Sequence, residues 1–203
     1  MIAVKAVGRM IKAKIDPIVQ FNRWFARAQR AEPLAEAMAL ATANSRGHPM
    51  VRFVLLKQAN PRGFVFFTDR RSRKGQALSR NRFASLAFHW DSIGRQICIA
   101  GPVERLTAEE ADAYWITRPR DSQLSARTSR QSAPLKSRKD LLARLAAVRA
   151  SLRGGPIARP SYWIGYRVRP HMIEFWTRRP NRLHHRELFT RGRQGWQHNL
   201  LQP

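Results

Sequence analysis

From Ala37 onward the chain falls into short extended runs separated by turn chemistry, and this rhythm limits the possible folds more than any other feature. "AMALATAN" and "MVRFVLLK" flank "SRGHP", which reads as a hairpin turn, and "GFVFFTD" follows the breaker "NPRG". "FASLAFHW", "RQICIAGPVERL", "YWIGYRV" and "HMIEFW" continue the pattern, and a last extended piece around Arg186 turns at "RGRQG" into "WQHNLL". Strands outnumber helices and follow one another in short meanders. The expected fold is therefore mainly β with helices (α+β), an antiparallel barrel with the helices packed on it.

Helical signals are fewer but well marked. Asp16 before Pro17 supplies an N-cap and a first turn, after which Ile18, Phe21, Trp24, Phe25 and Ala28 recur at helical spacing. Ser72 can cap "RKGQALSRN", and Thr107 with Glu110 forms a capping box ahead of "AEEADAYWITR", which Pro119 ends or bends. Ser137 opens the strongest helix, "RKDLLARLAAVRASLR", closed by Gly154 and Gly155. Between these last two, "DSQLSARTSRQSAPLKS" reads as polar and irregular. With no internal repeat or low-complexity linker, residues 16–203 are expected to form a single domain behind a flexible basic segment at 1–15.

Composition excludes several classes. A chain of 203 residues with 43% hydrophobic residues and six tryptophans is large enough for a real core and too apolar for disorder. One cysteine, Cys98, leaves no internal disulfide and no paired-cysteine metal or redox centre, and its apolar setting makes it a structural thiol. No membrane-length apolar window exists, and Lys5, Arg9, Lys12 and Lys14 interrupt the start where a secretory signal needs a continuous apolar run, so a cytoplasmic protein is expected. The net charge of +25 predicts affinity for phosphorylated molecules and, non-specifically, for nucleic acid.

Three groups of residues can carry chemistry. If residues 182–186 are extended, Arg182, His184 and Arg186 share a face, with Leu183 and His185 on the other. Tyr114 and Arg118 stand four apart on one helical face, with Ser122 able to join them beyond Pro119, a donor set that suits a phosphate monoester. Arg52 and Lys57 border an apolar strand, and Ser72, Arg73 and Lys74 mark a helix N-terminus, where backbone N–H groups and the dipole favour an anion. No nucleotide-binding glycine motif and no metallohydrolase motif is present. An enzyme with phosphate sites and no hydrolytic machinery would borrow its reactivity from a phosphorylated cofactor.

Taken in order, "DPIVQFNRWFARA", "AMALATA", "VRFVLLK", "GFVFFTD", "SRKGQAL", "RQICIAGPVERL", "YWITRPRDSQ", "RQS" and "IEFWTRRPNRLHHR" resemble the pyridoxamine 5′-phosphate oxidases from about residue 16 to the end. The resemblance implies an FMN-binding split β-barrel and a homodimer with FMN at the interface. It also implies oxidation of pyridoxamine or pyridoxine 5′-phosphate to pyridoxal 5′-phosphate, with O2 reduced to H2O2. The cofactor site it implies comprises Arg52, Phe53, Val54, Leu55, Lys57, Phe67, Thr68, Arg73, Lys74, Gln96, Gln131, Ser132, Trp176 and Arg186. The substrate phosphate would meet Lys57, Tyr114, Arg118 and Ser122, while Arg182 and His184 face the pyridine ring as the catalytic pair. Against the family pattern this chain departs at Thr177, at His185, at "LSAR" (124–127, ending in Arg127) and at Leu200. Two other readings remain open: a related FMN-dependent oxidase of a reduced phenazine precursor, and a basic nucleic-acid-binding barrel.

Overall fold

The computed structural model describes residues 11–12 and 16–203. Its strands are β1 (Ile11–Lys12), β2 (Ala37–Ala43), β3 (Pro49–Leu55), β4 (Gln58–Asn60), β5 (Gly63–Asp69), β6 (Phe83–Trp90), β7 (Arg95–Arg105), β8 (Trp163–Val168), β9 (Met172–Thr177), β10 (His185–Gly192) and β11 (Gly195–Leu201). The helices are α1 (Pro17–Ala28), α2 (Arg73–Arg80), α3 (Ala108–Trp115), α4 (Arg120–Thr128) and α5 (Arg138–Ser151). Strand pairing is antiparallel throughout. The main path runs β1-β11-β10-β9-β7-β6-β2-β3.

The long strand β7 splits the barrel. Its first half, Arg95–Ala100, pairs with β9, and its last residues, Val103–Arg105, pair with β8, which leads to β5 and β4. Gly101 sits where the strand changes sheets: a Cβ there would lie 1.9 Å from the Arg169 carbonyl oxygen, so only glycine permits the approach. Phe21 of α1, Phe64, Phe88, Trp90, Ile97, Ile99 and Phe175 fill the space between the sheets, each almost fully buried. A second cluster of Trp115, Leu124, Ile157 and Trp163 lies under α3, α4 and α5, and it shapes the candidate site.

Local chemistry explains the turns and caps. Asn44 accepts from the backbone N–H groups of Arg46 and His48 (2.9 and 3.0 Å), with Gly47 at φ 80, and so closes the β2–β3 hairpin. Asp16 caps α1 and Ser72 caps α2. The Thr107–Glu110 box caps α3, and Ser137 caps α5, as the sequence leads one to expect.

Two expectations fail. The stretch read as irregular contains α4, which Pro119 begins and whose single buried residue is Leu124. The extended reading of 182–186 fails at its start, because Pro180–Arg182 form a 3-10 turn with Asn181 and Arg182 in the left-handed region (φ 56 and 59). The strand begins only at His185. The flexible segment expected at 1–15 lies outside the described residues, apart from Ile11–Lys12, whose backbone pairs with β11. Among the described residues no helix is long and apolar enough to cross a membrane.

Candidate active site

The end of β5, the start of α2 and the segment after α4 converge on Lys74. This side chain is 9% exposed and donates to Thr68 Oγ1 (3.2 Å) and Gln131 Oε1 (2.8 Å). Burial, then the charge of Arg52, depresses its pKa from 10.5 to about 8 against the opposing pull of Asp69. Its hydrogen-bond partners are neutral, so a buried ammonium here lacks a counter-charge, and an anion with several acceptor oxygens would supply it. Arg52 is half-buried and donates to the Leu40 carbonyl (3.1 Å) and Thr42 Oγ1 (2.7 Å). With the exposed Arg73 it lines a neighbouring cleft of about 630 Å³. The Ser72 hydroxyl is not free for a ligand, since it accepts from Gly75 N–H (3.2 Å) as the helix cap. Ser132 adopts φ 70, a left-handed conformation that a serine takes only at some cost.

Beside this cradle, three aromatic rings form a shelf. Tyr114 stacks on Phe67 at 4.2 Å and Phe67 on Trp163 at 4.8 Å, with interplanar angles of 11° and 4°. The Arg118 guanidinium lies over Trp163 (4.7 Å) and Trp115 (5.1 Å), and Trp115 is itself pinned by its indole N–H to the Ile157 carbonyl (2.6 Å). Burial lowers the Arg118 pKa, and its Nη1 is buried without a hydrogen-bond partner. A guanidinium held in place, desolvated and unsatisfied is a built receptor for an oxyanion. Lys57, Tyr114 and Arg118 line a cleft of about 230 Å³ together with Val54, Leu55 and Lys74. Ser122 lies in the adjoining cleft of about 480 Å³, where Arg118, Phe67, Thr68, Gln131 and Trp163 form the shared wall. Helix α3 ends at Trp115, so Tyr114 and Arg118 meet through the turn before α4 and not along one helix.

A second cluster stands on β7, β9 and β10. Gln96, Trp176 and Arg186 are directly opposed in register and therefore share a face. Arg186 is fixed by Glu174 Oε1 (2.7 Å), which raises its pKa, and by the Gln202 carbonyl (3.0 Å). The His184 ring packs on Trp176 at 4.5 Å, and its Nδ1 accepts from the Arg179 backbone N–H (3.3 Å), an arrangement that leaves the proton of the neutral ring on Nε2. His185, in register with Thr177, points away from this face towards Glu187 (3.7 Å). Cys98 neighbours the cluster, but burial raises its pKa, which fits a structural thiol.

Along the sheet of one chain, Arg52 of the first cluster stands apart from Trp176 of the second. From β3 to β9 the path crosses β2, β6 and β7, four strand spacings or roughly 19 Å at about 4.8 Å each. Register carries Arg52 through Leu40, Leu86 and Ile99 to Ile173, three residues from Trp176, so Arg52 and Trp176 also lie on opposite faces. The outward face of β3 meanwhile carries Val51, Phe53 and Leu55 at 65%, 75% and 38% exposure, an uncovered apolar row on an edge strand.

Sequence reasoning missed Trp163 and Trp115, which hold Arg118, and Glu174, which holds Arg186. Glu174 had a readable signal, since it stands two residues before Trp176 on the same strand face. The aromatic shelf had none, because Trp163 reaches it from far along the chain.

Comparison with known proteins bears on this arrangement. Residues 26–152 match the family described as pyridoxamine 5′-phosphate oxidase, and residues 163–203 match the pyridoxine 5′-phosphate oxidase C-terminal dimerisation region. The chain is 49% identical to a pyridoxine/pyridoxamine 5′-phosphate oxidase of Rubrobacter xylanophilus over 93% of this chain and 87% of that protein. To the protein of the same name from Gluconobacter oxydans it is 48% identical, over 96% and 98%. Among solved structures, PhzG from Burkholderia lata in complex with tetrahydrophenazine-1-carboxylic acid is similar, with TM-score 0.88, 35% identity and 93% coverage of both chains. A pyridoxamine 5′-phosphate oxidase-related, FMN binding protein from Nostoc punctiforme shares the fold at TM-score 0.77 and 16% identity, covering 94% of this chain and 100% of that one.

Proposed function

The chain belongs to the pyridoxamine 5′-phosphate oxidase family, and we propose that it is an FMN-dependent oxidase making pyridoxal 5′-phosphate at a site completed by a second copy of itself. It is an oxidoreductase that uses FMN as cofactor. Pyridoxamine 5′-phosphate with O2 and water yields the aldehyde, ammonia and H2O2; pyridoxine 5′-phosphate with O2 yields the aldehyde and H2O2. The observation that carries the substrate assignment is the half-buried Arg118 guanidinium, its Nη1 buried without a partner, beside Lys57 and Tyr114, a receptor suited to a phosphate dianion.

The residues present fit FMN: the under-compensated Lys74, with Arg52, Arg73, Thr68, Gln131 and Ser132, would hold its phosphate. Phe53, Val54, Leu55, Lys57 and Phe67 would border its ring on one side, and Gln96, Trp176 and Arg186 on the other. FMN bound there would supply the redox chemistry, taking up a hydride equivalent from the substrate's C4′ carbon and returning two electrons to O2. The protein's contribution is placement. Lys57, Tyr114, Arg118 and Ser122 hold the phosphate, while His184, through its Nε2 proton, and Arg182 orient the pyridine ring. Asn181 and Arg182 keep left-handed backbones where the chain must aim Arg182, a cost consistent with function. His185 faces Glu187, and Glu174 secures Arg186, so the departure at His185 leaves the Arg186 side intact.

A homodimer joins the two clusters. Trp176, Arg182, His184 and Arg186 all fall within the stretch matching a dimerisation region, and the apolar row of β3 needs a cover. Peroxide release with pyridoxamine 5′-phosphate, pyridoxine 5′-phosphate, their dephosphorylated forms and a reduced phenazine carboxylate tests the reading. Turnover of the phosphorylated vitamers alone supports it; turnover of only the phenazine compound refutes it.

Lys74 adds a pH prediction. Its folded pKa lies below the unfolded value, so the cofactor-free fold is penalised below about pH 8, and the penalty fades as pH rises towards 10.5. A phosphate dianion favours the ammonium, so FMN binding takes up a proton above that pKa. FMN affinity should fall about tenfold per pH unit above about 8. Fluorescence titration of the cofactor-free protein from neutral pH to pH ~9.5 measures it, and Lys74→Met should flatten the profile.

A further inference from the structure

A cleft of about 760 Å³ opens between α2 and the strands β7 and β8; it shares no lining residue with the two clefts around Arg118 and only Gln76 and Ser79 with the cleft of Arg52 and Arg73. Arginines dominate its wall: Arg70, Arg71, Arg82, Arg105 and Arg130. Arg71 is neutralised by Asp69 (2.7 Å), and the one carboxylate of the lining, Glu104, is taken by Arg167 (2.9 Å) and Arg169 (3.8 Å). Arg70, Arg82, Arg105 and Arg130 make no ion pair among the described residues.

On the floor lies Tyr166, 6% exposed, its hydroxyl donating weakly to the Gly75 carbonyl at 3.4 Å. Burial raises this phenol's pKa, and the charges of Arg105, Arg82 and Arg70, which line the same cleft, oppose that rise. Like charges collected around a concavity repel one another, and within a Debye length of about 8–10 Å salt relieves this only in part. A ligand bearing several negative charges would relieve it fully. The concavity lies within the range of roughly 300–1,000 Å³ typical of small-molecule sites, and a linear polyphosphate offers acceptor oxygens in a row to planar guanidinium forks.

We propose that this cleft binds a small polyphosphate, free or carried by a nucleoside, separately from the oxidase site. The cleft is lined in part by Gly75, Gln76, Leu78 and Ser79 of α2, the helix whose first turn supplies Arg73 and Lys74. Its occupant therefore touches the element that positions the cofactor cradle.

The test is calorimetric titration of FMN-loaded protein in an Arg118→Ala background, which silences the other phosphate receptor. Inorganic tripolyphosphate forms one arm and a nucleoside triphosphate the other. The expected result is one saturable site per chain, weakened about tenfold or more by Arg82→Gln with Arg105→Gln, and likewise by Arg70→Gln with Arg130→Gln. A charge-matched pair on α5, Arg138→Gln with Arg144→Gln, should change it less than about twofold. Equal affinity in both arms assigns the phosphate chain alone; tighter binding in the second arm adds the nucleoside. Equal weakening by the α5 pair, no saturable binding, or preference for an RNA polymer with steep salt dependence overturns the proposal.

Discussion

Arg118→Ala should raise the KM for pyridoxamine 5′-phosphate by roughly ten- to a hundredfold, because a buried charge-assisted contact is worth about 1.5–3 kcal/mol. The protein should keep its flavin and its stability. Arg118 forms no ion pair among the described residues, and its Nη1 is unsatisfied, so deleting it removes a half-buried, uncompensated charge while leaving Trp115 and Trp163 in place. Steady-state kinetics with thermal unfolding separates the outcomes. An unchanged KM refutes the phosphate assignment, and a collapse of stability would make the residue structural.

Phe53→Asp should give a colourless monomer. Phe53 is 75% exposed on the edge strand β3, between Val51 and Leu55 on the same outward face. In a two-fold symmetric dimer each substitution counts twice. Losing about 2 kcal/mol of apolar burial and adding about 1–2 kcal/mol or more of carboxylate desolvation per copy sums to roughly 6–8 kcal/mol, about four to six orders of magnitude in dimer affinity. Light scattering reports the mass, and absorbance near about 450 nm reports the flavin. A yellow dimer would show that this face is not the interface.

The sequence disclosed most where local chemistry decides the backbone. The caps at Asp16, Ser72, Thr107 and Ser137 and the turn at Gly47 are read from side-chain type alone, and each stands in the fold. Helix α4 escaped because "RDSQLSART" buries only Leu124 and so carries almost no apolar period; packing against α5 and the Trp115–Trp163 cluster sustains it. Arg182 was misread because alternation was assumed through a turn, although Asn181, tolerant of the left-handed region, was a visible warning. Lys57, Tyr114 and Arg118 line one cleft, a grouping the sequence suggested, yet the sequence could not reveal the unsatisfied Nη1, which depends on rings placed by β8 and α3.

We propose that the Arg118–Lys74 cradle of one chain and the Trp176–His184 cluster of another make one active site. Co-expression of an Arg118→Ala, Lys74→Met chain with a Trp176→Ala, His184→Ala chain, each inactive alone, tests it directly. Mixed dimers hold one intact site of two and form half of a random population, so activity should return to about a quarter of the unaltered enzyme's. Mixed dimers that are verified by mass and remain inactive would contradict the shared site.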